Sequence, residues 1–233
     1  MQVVDLNLEE TVMRTTWRAA LAVATTVFLY ACANSAPQIS EDGLELQPDT
    51  RFQDVYLRPG AELSGYSNIA LSDCDVSFRK NWLRDQNNNR VDLSRRVSEE
   101  DVVKVQTSLS ALCDEYFSAA LSEAPAYTMA ESGGPGVLLV EPHIVNLDIA
   151  APDTMSPGIS RTYTTSSGEM TLQLELRDGA SGEVLARIID RRRGMDTGRL
   201  QWTNGVTNRA DASRALKRWA LLMREGLDKA MGR

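Results

Sequence analysis

Met170-Thr171-Leu172-Gln173-Leu174-Glu175-Leu176-Arg177, running on through Asp178-Gly179-Ala180-Ser181-Gly182-Glu183 into Val184 to Asp190, is the stretch on which the fold turns. Met170, Leu172, Leu174 and Leu176 alternate with Thr171, Gln173, Glu175 and Arg177, and a side-chain period of two puts the apolar four on one face of a strand. The Asp, Gly and Ser cluster is a turn, so the second apolar run returns as an antiparallel partner. A sheet with one apolar face needs a cover. Two segments have the period for it. Val102, Val105, Leu109, Leu112, Cys113, Tyr116, Phe117, Ala120 and Leu121 share one stripe of a helix that Ser98 and Asp101 open in the manner of a capping box. Ala212, Ala215, Leu216, Trp219, Leu222, Met223, Leu227 and Met231 form a second stripe at the C-terminus.

The other strands are shorter or less regular. Tyr56-Leu57-Arg58-Pro59-Gly60 reads as an extended segment closed by a turn, because proline pushes its predecessor out of the helical region and glycine accepts turn dihedrals. Ala70, Ser72, Cys74, Val76 and Phe78 alternate with polar neighbours, which predicts one strand with Cys74 on its inner face. Residues 79–97, with Asn87-Asn88-Asn89, read as a loop. Tyr127-Thr128-Met129 is a short strand, and Gly133-Gly134-Pro135-Gly136 turns into Val137 to Ile149, where Pro142 predicts an edge or a bulge. Residues 151–167 are an excursion rich in Pro, Gly, Ser and Thr. The order predicts an α+β fold in a single domain over residues 51–233, a mixed, mostly antiparallel sheet with two amphipathic helices packed on one face.

Upstream of this domain lies an address. Ala19 to Leu29 is apolar and uncharged, Arg14 and Arg18 precede it, and Ala31 stands before Cys32. A basic flank, a short apolar segment and a small residue at the cut are what a secretory signal needs, and the run is about half the length of a membrane span. Leu29-Tyr30-Ala31-Cys32 resembles the lipobox at which bacterial lipoproteins are lipidated and cut, with Tyr30 where a smaller residue is usual. The resemblance implies a signal peptide over residues 1–31, a lipid-bearing Cys32 as mature N-terminus, and a flexible tether over 32–50. Asp5, Glu9 and Glu10 put negative charge where a signal wants positive, which places the translational start at Met13. Two or three acyl chains on one cysteine give stable attachment without spanning, since each buried methylene contributes about 0.8 kcal/mol. Ala33 stands where an aspartate would hold an enterobacterial lipoprotein at the inner membrane. The expected location is therefore the periplasmic face of the outer membrane.

The chain carries a formal net charge of −7, yet residues 187–224 hold ten basic and three acidic side chains. Such a segment can meet an anionic wall polymer, a lipid headgroup or an acidic partner, or it can complement acids within one fold. Nucleic acid is not an expected partner outside the cytoplasm. Arg191-Arg192-Arg193 is the candidate for anion or partner contact, although strand alternation sends Arg192 to the opposite face. Cys74 and Cys113 both face the predicted core, in a compartment where disulfides persist. They are either a pair closing a loop of about 40 residues or two buried thiols.

Known chemistries are poorly represented. A single His143 excludes the two-histidine zinc helix; no G-x-S-x-G elbow accompanies it for serine hydrolysis. The glycines at 133–136 lack a phosphate-loop context, and Pro135 has no N–H to give. Asp73 and Asp75 belong to the solvated face of their strand. No catalytic residue, metal or cofactor is expected.

Taken together, the lipobox, Tyr56 to Gly60 with Tyr66, the Leu176-Arg177-Asp178 to Gly182-Glu183-Val184-Leu185-Ala186 hairpin, and Trp219-Ala220 resemble the bacterial lipoproteins of domain-of-unknown-function family 3313, over roughly residues 50–231. That family implies location and fold and brings no activity. The expected role is a non-catalytic, lipid-anchored envelope module that binds a periplasmic or outer-membrane partner. The alternative is a carrier or sensor with a pocket for an apolar ligand between helices and sheet, and an envelope hydrolase comes last.

Overall fold

The computed structural model describes residues 38–88, 96–149, 162–164, 168–194, 201–203 and 205–233. The signal segment, Met13 and Cys32 lie outside them. In chain order the elements are β1 (Glu45–Leu46), β2 (Asp54–Leu57), β3 (Asn68–Leu71), β4 (Asp75–Phe78), α1 (Trp82–Asn88), α2 (Glu99–Ser122), β5 (Thr128–Met129), β6 (Val137–Ile149), β7 (Thr162–Thr164), β8 (Gly168–Asp178), β9 (Val184–Arg193), β10 (Gln201–Thr203) and α3 (Gly205–Ala230). The main sheet runs β1-β2-β9-β8-β6-β3-β5, with β4 also on β6, and β7 pairs with β10 apart from it. Pairings along β1, β2, β9, β8 and β6 are antiparallel, whereas β3 and β4 join β6 in parallel.

The 170–190 hairpin is its centre. Val140 lies opposite Leu176, Ile144 opposite Leu172 and Leu174 opposite Ile188, so one sheet face is a continuous apolar surface. Both long helices cover that face. Leu109, Leu112, Phe117 and Leu121 of α2 and Leu216, Trp219, Met223 and Leu227 of α3 are buried in one core with it. The start of α2 follows its capping signal: Asp101 N–H donates to Ser98 Oγ at 3.1 Å and Ser98 N–H to Asp101 Oδ2 at 2.9 Å. Residues Gln38–Arg233 form one compact unit, and every member of this core lies within it.

Four expectations need correction. The described residues contain three α-helices rather than two, because α1 occupies part of the predicted loop. Its seven residues are too few for a period, and most are polar. What holds it is tertiary: Trp82 is buried and stacks on Phe78 at 4.1 Å, and the Asn87 side chain brackets Val97 with bonds of 2.9 and 2.8 Å. Second, the compact unit reaches back to Gln38, inside the expected tether. Leu44 is fully buried, and Arg187 Nη2 donates to Asp42 Oδ2 at 2.7 Å.

Third, the predicted 70–78 strand breaks at Ser72–Cys74 into β3 and β4. Cys74 leaves the ladder and donates its N–H to Asp114 Oδ1 of α2 at 2.8 Å. Fourth, Pro142 sits inside the sheet and not at its edge. The break explains why. Val140 accepts from Ser72, so the nitrogen of Pro142, two residues on, faces the gap between β3 and β4, and the absent donor leaves no ladder bond unmade.

Candidate functional site

The N-terminal halves of the two long helices line, with the sheet, a cleft of about 490 Å³. Its floor is apolar: Val105, Leu109 and Leu112 from α2, Leu147 and Met170 from the sheet, Ala212 and Ala215 from α3. The ends of β6, β8 and β9 close it below. There β6 carries a bulge between Val145 and Asp148, with Asn146 at φ 53°. Gly168 lies at φ +140°, where a Cβ would stand 2.2 Å from the Asp148 carbonyl oxygen, so only glycine lets the two strands meet as they do.

The rim is charged and predominantly positive. Lys104, Arg192, Arg193, Arg209, Arg214 and Arg218 face Asp148, Glu169 and Asp211 around it. Most of these cations are already matched. Arg191 and Arg193 share Glu169, at 2.6 and 3.0 Å, and their guanidinium groups hold its carboxyl below the usual range against the opposing effect of burial. Arg192 turns to the opposite face, as alternation requires, and donates to Asp190 at 2.6 Å. Arg214 pairs with Asp211, and Lys104 with Glu100. Among the described residues, no partner accompanies Arg209 or Arg218.

The arginine triplet is thus tied to acids of its own sheet. The wider basic segment follows the same pattern, with Arg187 on Glu175 and Asp42. Asp190 is buried, and three donors satisfy it: Trp219 Nε1 at 2.6 Å, Gln53 N–H at 2.9 Å and Arg192 Nε. Complementary charge within one fold accounts for most of residues 187–224.

At the other end of the helix layer the chain closes on Arg224, which sequence reading passed over. Its guanidinium donates to the carbonyls of Ala120 and Glu123 at 2.9 Å and of Pro125 at 2.7 Å, which terminates α2, while Nε bonds Asp228 at 2.8 Å. It lies 4.7 Å from the ring centroid of Tyr127, whose hydroxyl donates to Asp228 at 2.6 Å. Burial first, and then this carboxylate, push the Tyr127 phenol up to about 12. Only the i,i+4 spacing of Arg224 and Asp228 could have signalled the arrangement.

Cys74 and Cys113 are joined, with Cα atoms 6.1 Å apart. The bond fastens the break between β3 and β4 to the middle of α2. Asp73 and Asp75 are exposed. His143 is half-buried in β6, next to Gln173 on one side and Asp75 on the other. The glycine turn packs tightly: a Cβ on Gly179 would stand 2.7 Å from the Val137 oxygen and 2.8 Å from the Gly134 nitrogen. Among the described residues, no group of three or more His, Cys, Asp or Glu side chains is placed to hold a metal ion.

The model of the family described as Protein of unknown function (DUF3313) matches residues 39–223. The chain belongs to this family. No curated protein sequence is similar to it. Among solved structures, the DUF3313 chain is similar to a PelC dodecamer from Paraburkholderia phytofirmans at 10% identity, covering 72% of this chain and 96% of that one with a TM-score of 0.34. It is also similar to a protein described as a neuraminyllactose-binding hemagglutinin homolog from Helicobacter pylori, at 12% identity, 74% and 92% coverage and a TM-score of 0.38.

Proposed function

We propose that this DUF3313 protein is a non-catalytic binding module of the bacterial envelope, held at the periplasmic face of the outer membrane by acyl chains on Cys32, and that it takes its ligand in the cleft between its long helices and its sheet. The cleft carries the reading. Its volume falls in the range of about 300–1,000 Å³ typical of small-molecule sites, and such sites are mostly apolar with a few polar groups at the mouth. The carboxylates nearby are engaged with arginines, an arrangement that suits a stable wall better than general acid–base work. The anchor rests on the segment that ends in Leu29-Tyr30-Ala31-Cys32.

Detergent phase partition of cells fed labelled palmitate tests the anchor. The native protein is expected in the detergent phase with label, and Cys32→Ser in the aqueous phase or unprocessed, without label. An unlabelled native protein in the aqueous phase overturns the location. An envelope protein docked on the helix layer is the second reading, favoured by the exposed Leu221 on α3 and Val103 on α2.

A further inference from the structure

We infer that the ligand of the cleft is a single-chain anionic amphiphile, an acyl chain bearing a carboxylate or phosphate head, with the head held by Arg209 or Arg218 of α3. The inference rests on the cleft being the binding site and adds the chemistry of what enters. Three observations carry it.

First, the floor offers only apolar groups. Leu109, Leu112, Leu147 and Met170 are buried at its base, and the alanines of α3 leave room above them. An apolar ligand segment gains there by leaving water, at about 25 cal/mol per Å² covered.

Second, the rim holds six cationic side chains against three carboxylates, in a chain whose net charge is −7. A cleft with a net excess of one sign and low-dielectric walls concentrates ligands of the opposite sign.

Third, the excess has a location. Arg192, Arg193, Arg214 and Lys104 each have a carboxylate in reach, so a ligand would have to compete with an existing ion pair at each of them. Arg209 and Arg218 both line the cleft and have no partner among the described residues. Nine positions separate them, about 13 Å and two and a half turns of helix, so they stand at opposite edges of the apolar stripe of α3, one on each side of the cleft lining. A guanidinium matches a carboxylate or phosphate with two parallel hydrogen bonds, and such charge-assisted bonds are the strong ones. A neutral hydrophobe would use the floor and ignore the rim. Inorganic phosphate would use the rim and gain nothing from the floor.

The test uses the soluble chain 33–233, which retains the whole compact unit Gln38–Arg233, so that no anchor or detergent competes. Dansyl-labelled undecanoic acid is titrated and its fluorescence followed, with dodecanoate, dodecanol and inorganic phosphate as competitors. The expected result is saturable enhancement at one site per chain. Dodecanoate should displace the probe at least tenfold more effectively than dodecanol, and millimolar phosphate should not displace it. Arg209→Gln combined with Arg218→Gln should weaken dodecanoate roughly tenfold or more, the worth of a lost charge-assisted bond, and leave dodecanol unchanged. Ser108→Trp, at an exposed position on the α2 wall, should weaken both.

Equal displacement by dodecanol and dodecanoate, or an unchanged preference in the double arginine variant, overturns the assignment of the head group. Absence of saturable enhancement, or competition by phosphate alone, overturns the amphiphile. Saturable binding that Ser108→Trp leaves unchanged overturns the cleft as the site, and none of these results touches the palmitate and partition measurement, so failures of the ligand class, of the cleft and of the anchor are told apart.

Discussion

The two ends of the helix layer are built from the same two helices and are opposite in character. Where α2 and α3 end, Arg224 saturates three carbonyls and one carboxylate, and Tyr127 covers it. Where they begin, the same helices line a cleft floored by leucines, with Arg209 and Arg218 unmatched among the described residues. The closed end shows that this pair of helices can be brought together and fully satisfied. The opening at the other end is therefore not a shortage of core: apolar surface and unmatched charge coincide there. A stabilising site uses up its hydrogen-bonding capacity internally, whereas a binding site keeps some in reserve.

The strongest way to break this comparison is to remove Arg224. Arg224→Met should destabilise the domain by about 3–5 kcal/mol in urea unfolding, because the carbonyls of Ala120, Glu123 and Pro125 lose their donor, at about 1–3 kcal/mol for each buried group left unsatisfied. A loss smaller than that of any cleft-end change would invert the picture. Next in size is the Cys74–Cys113 bond. Reduction, or Cys74→Ala with Cys113→Ala, should cost about 2–4 kcal/mol by constraining the unfolded chain less. Equal midpoints with and without reductant would show that the bond contributes nothing.

Gly168→Ala sharpens the contrast at the open end. A Cβ there meets the Asp148 oxygen and a disfavoured φ, so a loss of about 1–3 kcal/mol is expected. Hydrogen exchange should quicken in the ends of β6 and β8 and stay slow around Tyr127; uniform quickening would deny that the two ends behave separately. The smallest effect is at Asp42, which lies outside both. Ser40 and then Arg187 hold its carboxyl down to about 2, against an ordinary 3.8. A carboxylate depressed on folding contributes stability above its ordinary value and loses it as pH falls through the depressed one. The advantage of the native chain over Asp42→Asn should thus be full above about pH 4 and gone below about pH 2. An advantage that grows on acidification would contradict the pairing.

Much of the fold could be read from side-chain period. The alternation at 170–176 and the stripes at 102–121 and 212–231 each state which face is apolar, and burial follows them except at Glu175 and Arg224, which ion pairs and carbonyls hold inside. Short elements escaped. α1 has two apolar residues in seven, and β1 has two residues altogether, so neither offers a period to detect; each is held by remote partners, Phe78 and Val97 in one case and Tyr56 and Leu57 in the other. The strand through Cys74 kept its alternation in the sequence while breaking in space. What breaks it is a carboxylate on α2, and nothing local announces that.

The candidate site was legible only in outline. Arg191, Arg192 and Arg193 attracted attention as a cluster, and their acids, Glu169 and Asp190, lie across a strand or next to them. Arg209 and Arg218 looked like any polar helix face. Distance along the chain says nothing about which cations find partners, because pairing is settled by strand register and helix docking.

The amino-acid order by itself determined which faces are apolar, where the main hairpin turns, how α2 is capped and that Cys74 and Cys113 both face inward, since each of these depends on neighbours within a few residues. Only tertiary structure decided that α1 forms, that the N-terminal segment docks from Gln38, that Arg224 seals one end of the helix layer and that a cationic apolar cleft remains at the other. Those outcomes depend on groups far apart in sequence competing for the same carboxylates and carbonyls, and that competition is resolved only when the layers pack.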